Sequence, residues 1–270
     1  MRQPEAQRAG APARLEGATF RALAALAQAE WGLTLVPEKA PVVQARLRGR
    51  LGQLGLADFG AYCALLESAA GRRERRHLIS ALTTNVSHFF REPHHFEMIA
   101  ALARERRAGA PLRLWSAGCA NGQEPLSAAM ALLEAGAPEG SRLLGTDIDP
   151  RVIAFARVGL YPERLLSGLS AARRGRHFRR RNGPEGAAWQ ALPRLRRCLT
   201  FQEGNLLSAW PPFGPFDVIL CRNTVIYFEA ATQARLWPRF RAALRPGGLL
   251  MLGHSERIPD PAALGLAPAG

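Results

Sequence analysis

The stretch LRLWSAGCANGQEPLSAAMALLEAG (112–136), followed by RLLGTDID (142–149) and PRVIAFARVG (150–159), sets the architecture of this chain. A short apolar run ends in a glycine-containing turn, apolar residues then recur at helical spacing, a second apolar run ends in an acid, and a further helix begins at Pro150. Strand, helix, strand, helix is the signature of a parallel α/β domain. The rhythm resumes at LTFQEGNLL (199–207), FDVILCRN (216–223), a helix across Ala230 to Leu244, and GGLLMLGHSER (247–257). Pro246, Gly247 and Gly248 are expected to turn the chain into that last strand.

Outward from this core, residues 15–82 carry helical periodicity, with Phe20, Leu23, Leu26 and Ala27 and then Val43, Leu47, Leu51 and Leu54 on apolar stripes. The spacing predicts a small all-α domain, with Asp58 as an N-cap and with Gly32, Gly55 and Gly71 where helices stop. Residues 83–110 read as a linker and helix, and 111–270 as the α/β domain. Within it, residues 160–198 are rich in Arg and Gly, break the alternation and mark an inserted subdomain. Residues 1–14 read as a flexible tail without the apolar stretch of a secretory signal. With no apolar run long enough to span a bilayer, the expectation is a cytoplasmic protein with no membrane insertion.

The net charge of +14 comes almost wholly from arginine, Lys39 being the sole lysine. Such a field attracts acidic proteins, nucleic acid or anionic membrane alike. Cys63, Cys119, Cys198 and Cys221 show neither CxxC pairing nor a His at zinc-ligand spacing, so no metal and no disulfide framework are expected.

Ligands of parallel sheets bind beyond the carboxyl ends of the strands. Gly118 and Gly122 follow the first strand and allow close backbone approach, with Glu124 at the helix start. Asp147 ends the second strand, Asn205 follows the third, and Arg222, Asn223 and Tyr227 follow the fourth. A carboxylate at Asp147 suits two ribose hydroxyls and rejects a 2′-phosphate, which fits an adenosine in NAD or in S-adenosyl-L-methionine. Glu124 would repel a pyrophosphate and attract a cationic amino group, which favours S-adenosylmethionine. Each residue also has a plain structural reading, as a tight turn at Gly118 and Gly122, a helix cap at Asp147 or Asp149, a turn at Asn205 and a core aromatic at Tyr227.

TTNVSHFFRE (83–92), WSAGCANGQEP (115–125), GTDID (145–149), GPFDVILCRNTVIYF (214–228) and GGLLMLGHSE (247–256) together resemble the chemotaxis receptor methyltransferases, the CheR-type protein-glutamate O-methyltransferases. The likeness runs from about Phe20 to Arg257. It implies a Rossmann-like methyltransferase domain with a mostly parallel sheet behind the helical one, and S-adenosyl-L-methionine as cofactor with S-adenosyl-L-homocysteine as product. Cofactor contacts would fall on Asn85, Ser87, Arg91, Gly118, Glu124, Asp147, Asn205, Leu206, Cys221 and Arg222, with Arg91 and Tyr227 facing the transferred methyl as catalytic residues. Ser87 stands where the family usually has Thr, and Asn121 and Gln123 where it has Thr and Glu; the lost charge at 123 is expected to weaken cofactor binding modestly.

The resemblance also implies a partner, the cytoplasmic domain of a chemoreceptor, and a product, a glutamyl methyl ester. Arg46 and Arg50, four apart on the second helix, would share a face and read an acidic receptor surface. A solvated charge stripe is the bland alternative. In some relatives the insertion binds a receptor tail peptide by strand addition, although this insertion is poor in β-branched residues. Nucleic-acid methylation is the rival enzymatic reading, but CRNTVIYF stands where its Asn-Pro-Pro-aromatic turn would be, so no nucleic acid is expected. The remaining rivals are a non-catalytic adaptor that binds the cofactor and an NAD-dependent dehydrogenase.

Overall fold

A computed structural model describes residues 14–106, 109–184, 186–210 and 212–269; of the expected tail, all but Arg14 lies outside them. The chain forms two compact units that divide between Thr83 and Thr84. No helix among the described residues is long and apolar enough to cross a membrane.

Among the described residues, the first unit contains the α-helices α1 (Gly17–Trp31), α2 (Ala40–Leu54), α3 (Phe59–Glu67) and α4 (Gly71–Leu82), with a 3-10 turn, Pro37–Lys39, before α2. Their apolar stripes meet in a core that includes Phe20, Leu23, Leu47, Phe59, Tyr62 and Leu78. Gly32 and Gly55 end α1 and α2 in the left-handed conformation, and the Asp58 side chain caps α3 by accepting from Ala61 N at 2.8 Å. Gly71 departs from expectation, since it starts a helix rather than stopping one. A Cβ there would stand 2.3 Å from Leu65 O and 2.5 Å from Leu66 O, so glycine is required because α4 begins against the backbone that ends α3. Inside this unit Glu74, only 5% exposed, accepts from Tyr62 Oη at 2.9 Å and from Arg50 Nε and Nη2 at 2.9 and 2.7 Å.

The second unit opens with α5 (His94–Glu105), then runs β1 (Arg113–Ala117), α6 (Gln123–Ala135), β2 (Arg142–Asp147), α7 (Pro150–Val158), β3 (Leu160–Pro162), α8 (Ala171–His177), β4 (Phe178–Gly183), β5 (Gly186–Ala191), α9 (Pro193–Arg196), β6 (Leu199–Glu203), β7 (Phe216–Cys221), α10 (Ala230–Ala243) and β8 (Leu244–Leu252). Five strands make one sheet in the order β6-β2-β1-β7-β8, every pairing parallel. β7 is buried along its whole length, as a strand covered on both faces must be. The reversal of order between β1 and β7 puts the crevice for a ligand at their carboxyl ends.

Two sequence expectations change here. Pro246, Gly247 and Gly248 do not precede the last strand but lie inside β8. There the pairing jumps from Phe216–Leu244 to Val218–Leu249, a bulge that Gly247 accommodates at φ +72°. The insertion, which lacks β-branched residues, nonetheless forms a three-stranded antiparallel sheet, β3-β5-β4. Aromatic packing supplies what β propensity does not: Tyr161 and Phe178 meet Phe89 edge to face at 5.4 and 5.6 Å.

Candidate active site

The loop after β1 folds back over the end of β2, with Gly118 N and Cys119 N both donating to Thr146 O at 2.8 and 2.9 Å. Gly118 has φ +91°, and a Cβ there would stand 2.1 Å from Thr224 Oγ1. Its glycine is thus needed to seat the β1 loop against the β7 loop. Asp147 completes this corner. Its Oδ2 accepts from Ala120 N at 2.9 Å and its Oδ1 from Asp149 N at 3.0 Å. Burial pushes its carboxyl up to about 6, although these backbone bonds pull the other way. Asp149, not Asp147, caps α7 by accepting from Arg151 N at 2.9 Å, and Asn85 Nδ2 donates to its other oxygen at 2.7 Å.

A chain of charges links the first turn of α6, the loop after β7 and the segment before α5. Glu124 accepts from Ser116 Oγ at 2.7 Å and from Arg222 Nη1 at 3.0 Å, and burial raises its carboxyl in spite of both. Arg222, 5% exposed, reaches past it to Glu92 Oε2 at 3.3 Å and also donates to Arg91 O. Burial pushes Glu92 up as well, but His254 and Arg222 outweigh it and hold the carboxyl below its usual range. Glu124 therefore faces the crevice as half of an ion pair rather than as the bare charge expected from sequence. Phe90 and Glu92 take φ +54° and +55°, a left-handed conformation that is costly without glycine. It turns the Arg91 carbonyl and the Glu92 carboxylate toward Arg222.

The remaining candidates are distributed as follows. Arg91 is half-buried and its Nη1 donates to Val86 O at 3.3 Å; Ser87 is half-buried on the same segment. Asn205 Oδ1 accepts from Leu207 N at 2.9 Å, shaping the turn after β6, and Leu206 O accepts from Trp210 Nε1 and Arg239 Nη1 at 2.8 and 2.6 Å. Cys221 is fully buried, and burial pushes its thiol up as it does that of Cys119, so both are inert. Tyr227 is half-buried at the end of a short 3-10 turn, Val225–Tyr227. Gln123 is turned toward the insertion and donates to Leu165 O at 3.2 Å. In the helical unit Arg46 Nη1 donates to Ala81 O and Thr83 O at 3.0 and 2.8 Å, while Arg50 is committed to Glu74.

Two acids that organise the site were not singled out by sequence reasoning. Glu92 is one. The other is Glu256, whose carboxylate accepts four backbone N–H groups, from Asn223 (2.7 Å), Thr224 (2.7 Å), Val225 (2.9 Å) and Gly253 (2.8 Å). It ties the loop bearing Arg222 and Tyr227 to the end of β8. Both lie within the quoted motifs, HFFRE and GHSE, so the motifs were the available signal.

Comparison with known proteins decides among the adenosine-binding readings. Residues 85–266 match the CheR methyltransferase SAM-binding domain, and residues 18–83 match the CheR methyltransferase all-alpha domain. The chain belongs to the CheR methyltransferase family. A probable chemotaxis protein methyltransferase of Rhizobium etli is 42% identical over 84% of this chain and 88% of its own length. The chemotaxis protein methyltransferase of Escherichia coli is 41% identical over 90% and 86%. A solved S-adenosylmethionine dependent methyltransferase from Mesorhizobium loti is 24% identical over 58% of this chain and 51% of that one, with a TM-score of 0.33.

The cofactor of this CheR methyltransferase is S-adenosylmethionine, and the donors present suit it. Each Asp147 oxygen takes one backbone N–H and keeps capacity for a second donor, as two ribose hydroxyls require. Arg222 Nε, on the loop after β7, is a buried polar atom without a protein partner. When bound, the cofactor supplies a methyl group on a sulfonium. The chain's own contribution is a buried acid at the end of β2, a buried acid in the first turn of α6 paired with Arg222, and a loop after β7 fixed by Glu256.

Proposed function

We propose that this enzyme methylates glutamate side chains in the cytoplasmic domain of a chemoreceptor, giving glutamyl methyl esters, and that it acts in the cytoplasm. The observation that carries the reading is that both domains match the family and that relatives named chemotaxis protein methyltransferases align over 84–90% of the chain. The chemistry agrees with it. A surface glutamate, with a reference pKa of about 4.3, is ionised near neutrality and needs no general base to attack a methyl carbon. Placement is then the main task, and well-oriented intramolecular models attribute about 7–11 kcal/mol to it.

In this reading Asp147 holds the ribose, and Arg91 fixes the incoming carboxylate by charge-assisted hydrogen bonds. Tyr227 borders the methyl. Arg91 projects from the segment that also presents Glu92 to Arg222, so its backbone is anchored beside the charge chain. Arg46 is exposed and spends one nitrogen on backbone carbonyls, which leaves it the better placed of the two arginines to meet an acidic receptor surface. Four free cysteines suit a reducing compartment.

The deciding experiment offers cofactor labelled in its methyl group to receptor cytoplasmic fragments. Label that enters the receptor and is released by base marks an ester; label that stays through base treatment, or none at all, refutes the assignment. At saturating cofactor and receptor, Arg91→Ala should lower turnover by much more than about tenfold, about 1.4 kcal/mol of transition-state stabilisation. A smaller loss would restrict Arg91 to cofactor binding.

A further inference from the structure

Glu92, His94 and His95, at the start of α5, bring a carboxylate oxygen and two imidazole nitrogens within 4.8 Å of one another. This Glu-x-His-His spacing corrects the expectation, based on the cysteines, of a chain without metal ligands. His95 is 8% exposed, and its Nδ1 is buried without a hydrogen-bond partner. That nitrogen faces Glu92 Oε2 at 3.7 Å, too far for a hydrogen bond. Two ligand atoms each about 2.0–2.1 Å from a tetrahedral zinc ion stand ~3.4 Å apart. Glu92 and His95 are already near that separation, and the exposed His94 can close by side-chain rotation. His254 Nδ1 lies 3.2 Å from the other Glu92 oxygen, the kind of outer partner that orients a ligating carboxylate.

We propose that Glu92, His94 and His95 form a binding site for a divalent ion of the zinc type, with one position open to water. The donor set decides the class. Calcium and magnesium seek oxygen ligands, and copper(I) seeks sulfur, whereas two imidazoles with one carboxylate suit zinc and its neighbours.

The charge that opposes the ion is Arg222, whose Nη2 is 3.3 Å from Glu92 Oε2. That guanidinium is flanked by two carboxylates, so it keeps Glu124 when a cation draws Glu92 away. The consequence is coupling between sites. An ion at Glu92 removes half of the countercharge from the arginine that holds Glu124, so metal binding weakens cofactor binding. The coupling rests on the cofactor placement proposed above, while the metal site does not.

The test titrates cobalt(II) into the full-length, tag-free protein, reading its visible d–d absorption, with zinc(II) as competitor. One equivalent should bind with a tetrahedral spectrum. His94→Gln and His95→Gln should each weaken binding by at least about a hundredfold, and His254→Gln by about tenfold. Because His94 is exposed, H94Q should melt like the parent and retain methyl transfer in chelator, yet lose inhibition by zinc. The site is refuted by the absence of a saturable d–d band, by unchanged affinity in H94Q, or by a thiolate charge-transfer band that places the ion at Cys63 or Cys198. Metal binding that leaves the affinity for S-adenosylhomocysteine unchanged refutes the coupling alone.

Discussion

Lowering the pH should release the cofactor through one residue, Asp147. Its carboxyl sits at about 6 because burial disfavours the charge more than the two backbone N–H groups restore it. An ionised carboxylate accepts from two ribose hydroxyls, and a protonated one gives up an acceptor and turns a donor toward them. One pH unit below the pKa only about one molecule in eleven carries the charge. Affinity for S-adenosylhomocysteine should therefore be flat from about pH 8 to 7, halve near 6 and fall roughly tenfold by 5. The ligand-free protein moves the other way. A folded-state pKa above the reference value means that Asp147 contributes stability at low pH, and this contribution is lost as the pH rises through about 6. The rise in melting temperature produced by S-adenosylhomocysteine should accordingly shrink in acid. Calorimetry in buffers of different ionisation enthalpy gives the affinity and also counts protons, with close to one released per ligand bound at pH 5. Asp147→Asn should bind more weakly at every pH, by about 1.5–3 kcal/mol for the charge-assisted bond lost, and should show no step. Its amide nitrogen would face the N–H of Ala120 or of Asp149. An unchanged affinity between pH 8 and 5, or the same step in the Asn variant, would overturn this account of Asp147.

Glu256→Gln sets an amide nitrogen against two of the four N–H groups that the carboxylate now accepts, and should lower stability by about 2–6 kcal/mol in denaturant unfolding. A loss under about 1 kcal/mol would show that the β7 loop does not depend on it. Gly118→Ala should cripple cofactor binding through contact with Thr224 Oγ1 and through its positive φ. Adding Thr224→Ala should restore part of the affinity, and a double variant no better than the single would point to backbone strain alone. Gly71→Ala should destabilise the helical unit by more than about 2 kcal/mol, seen in its melt, because α4 must move off the Leu65 and Leu66 carbonyls. Receptor methylation should weaken as salt rises from low to physiological ionic strength if Arg46 meets an acidic surface; salt-independent rates would reject that contact.

Local patterns in the chain were enough to mark the strands of the large sheet, because buried parallel strands are short apolar runs and their carboxyl ends must be polar wherever a ligand binds. Asp58 and Asp149 were legible as caps for an equally local reason, since a capping side chain reaches only two or three residues along its own backbone. The motif at 115–125 and the acid at 147 could be placed in one site by the strand-end rule alone.

What sequence could not decide is which charge faces which. Glu124 is read from sequence as a free acid for a cationic amine, but it is paired with Arg222, 98 positions away. Glu92 and Glu256 likewise find partners distant in the chain, Glu92 in Arg222 and Glu256 in Asn223, 33 positions apart. Gly71 and Gly118 are similar cases. Each is glycine because of a neighbour distant in the chain or in the preceding helix, so turn preference alone misassigned the first and left the second open. The insertion became a sheet through contact with Phe89 rather than by its own propensity. Sequence alone determined the order of strands and helices that build the large sheet and the strand ends where the candidate site residues gather, because hydrophobic periodicity is a local property of the chain. Only the tertiary structure decided the pairing of buried charges, the need for particular glycines and the convergence of Glu92, His94 and His95, because these depend on distances in space that no spacing along the chain encodes.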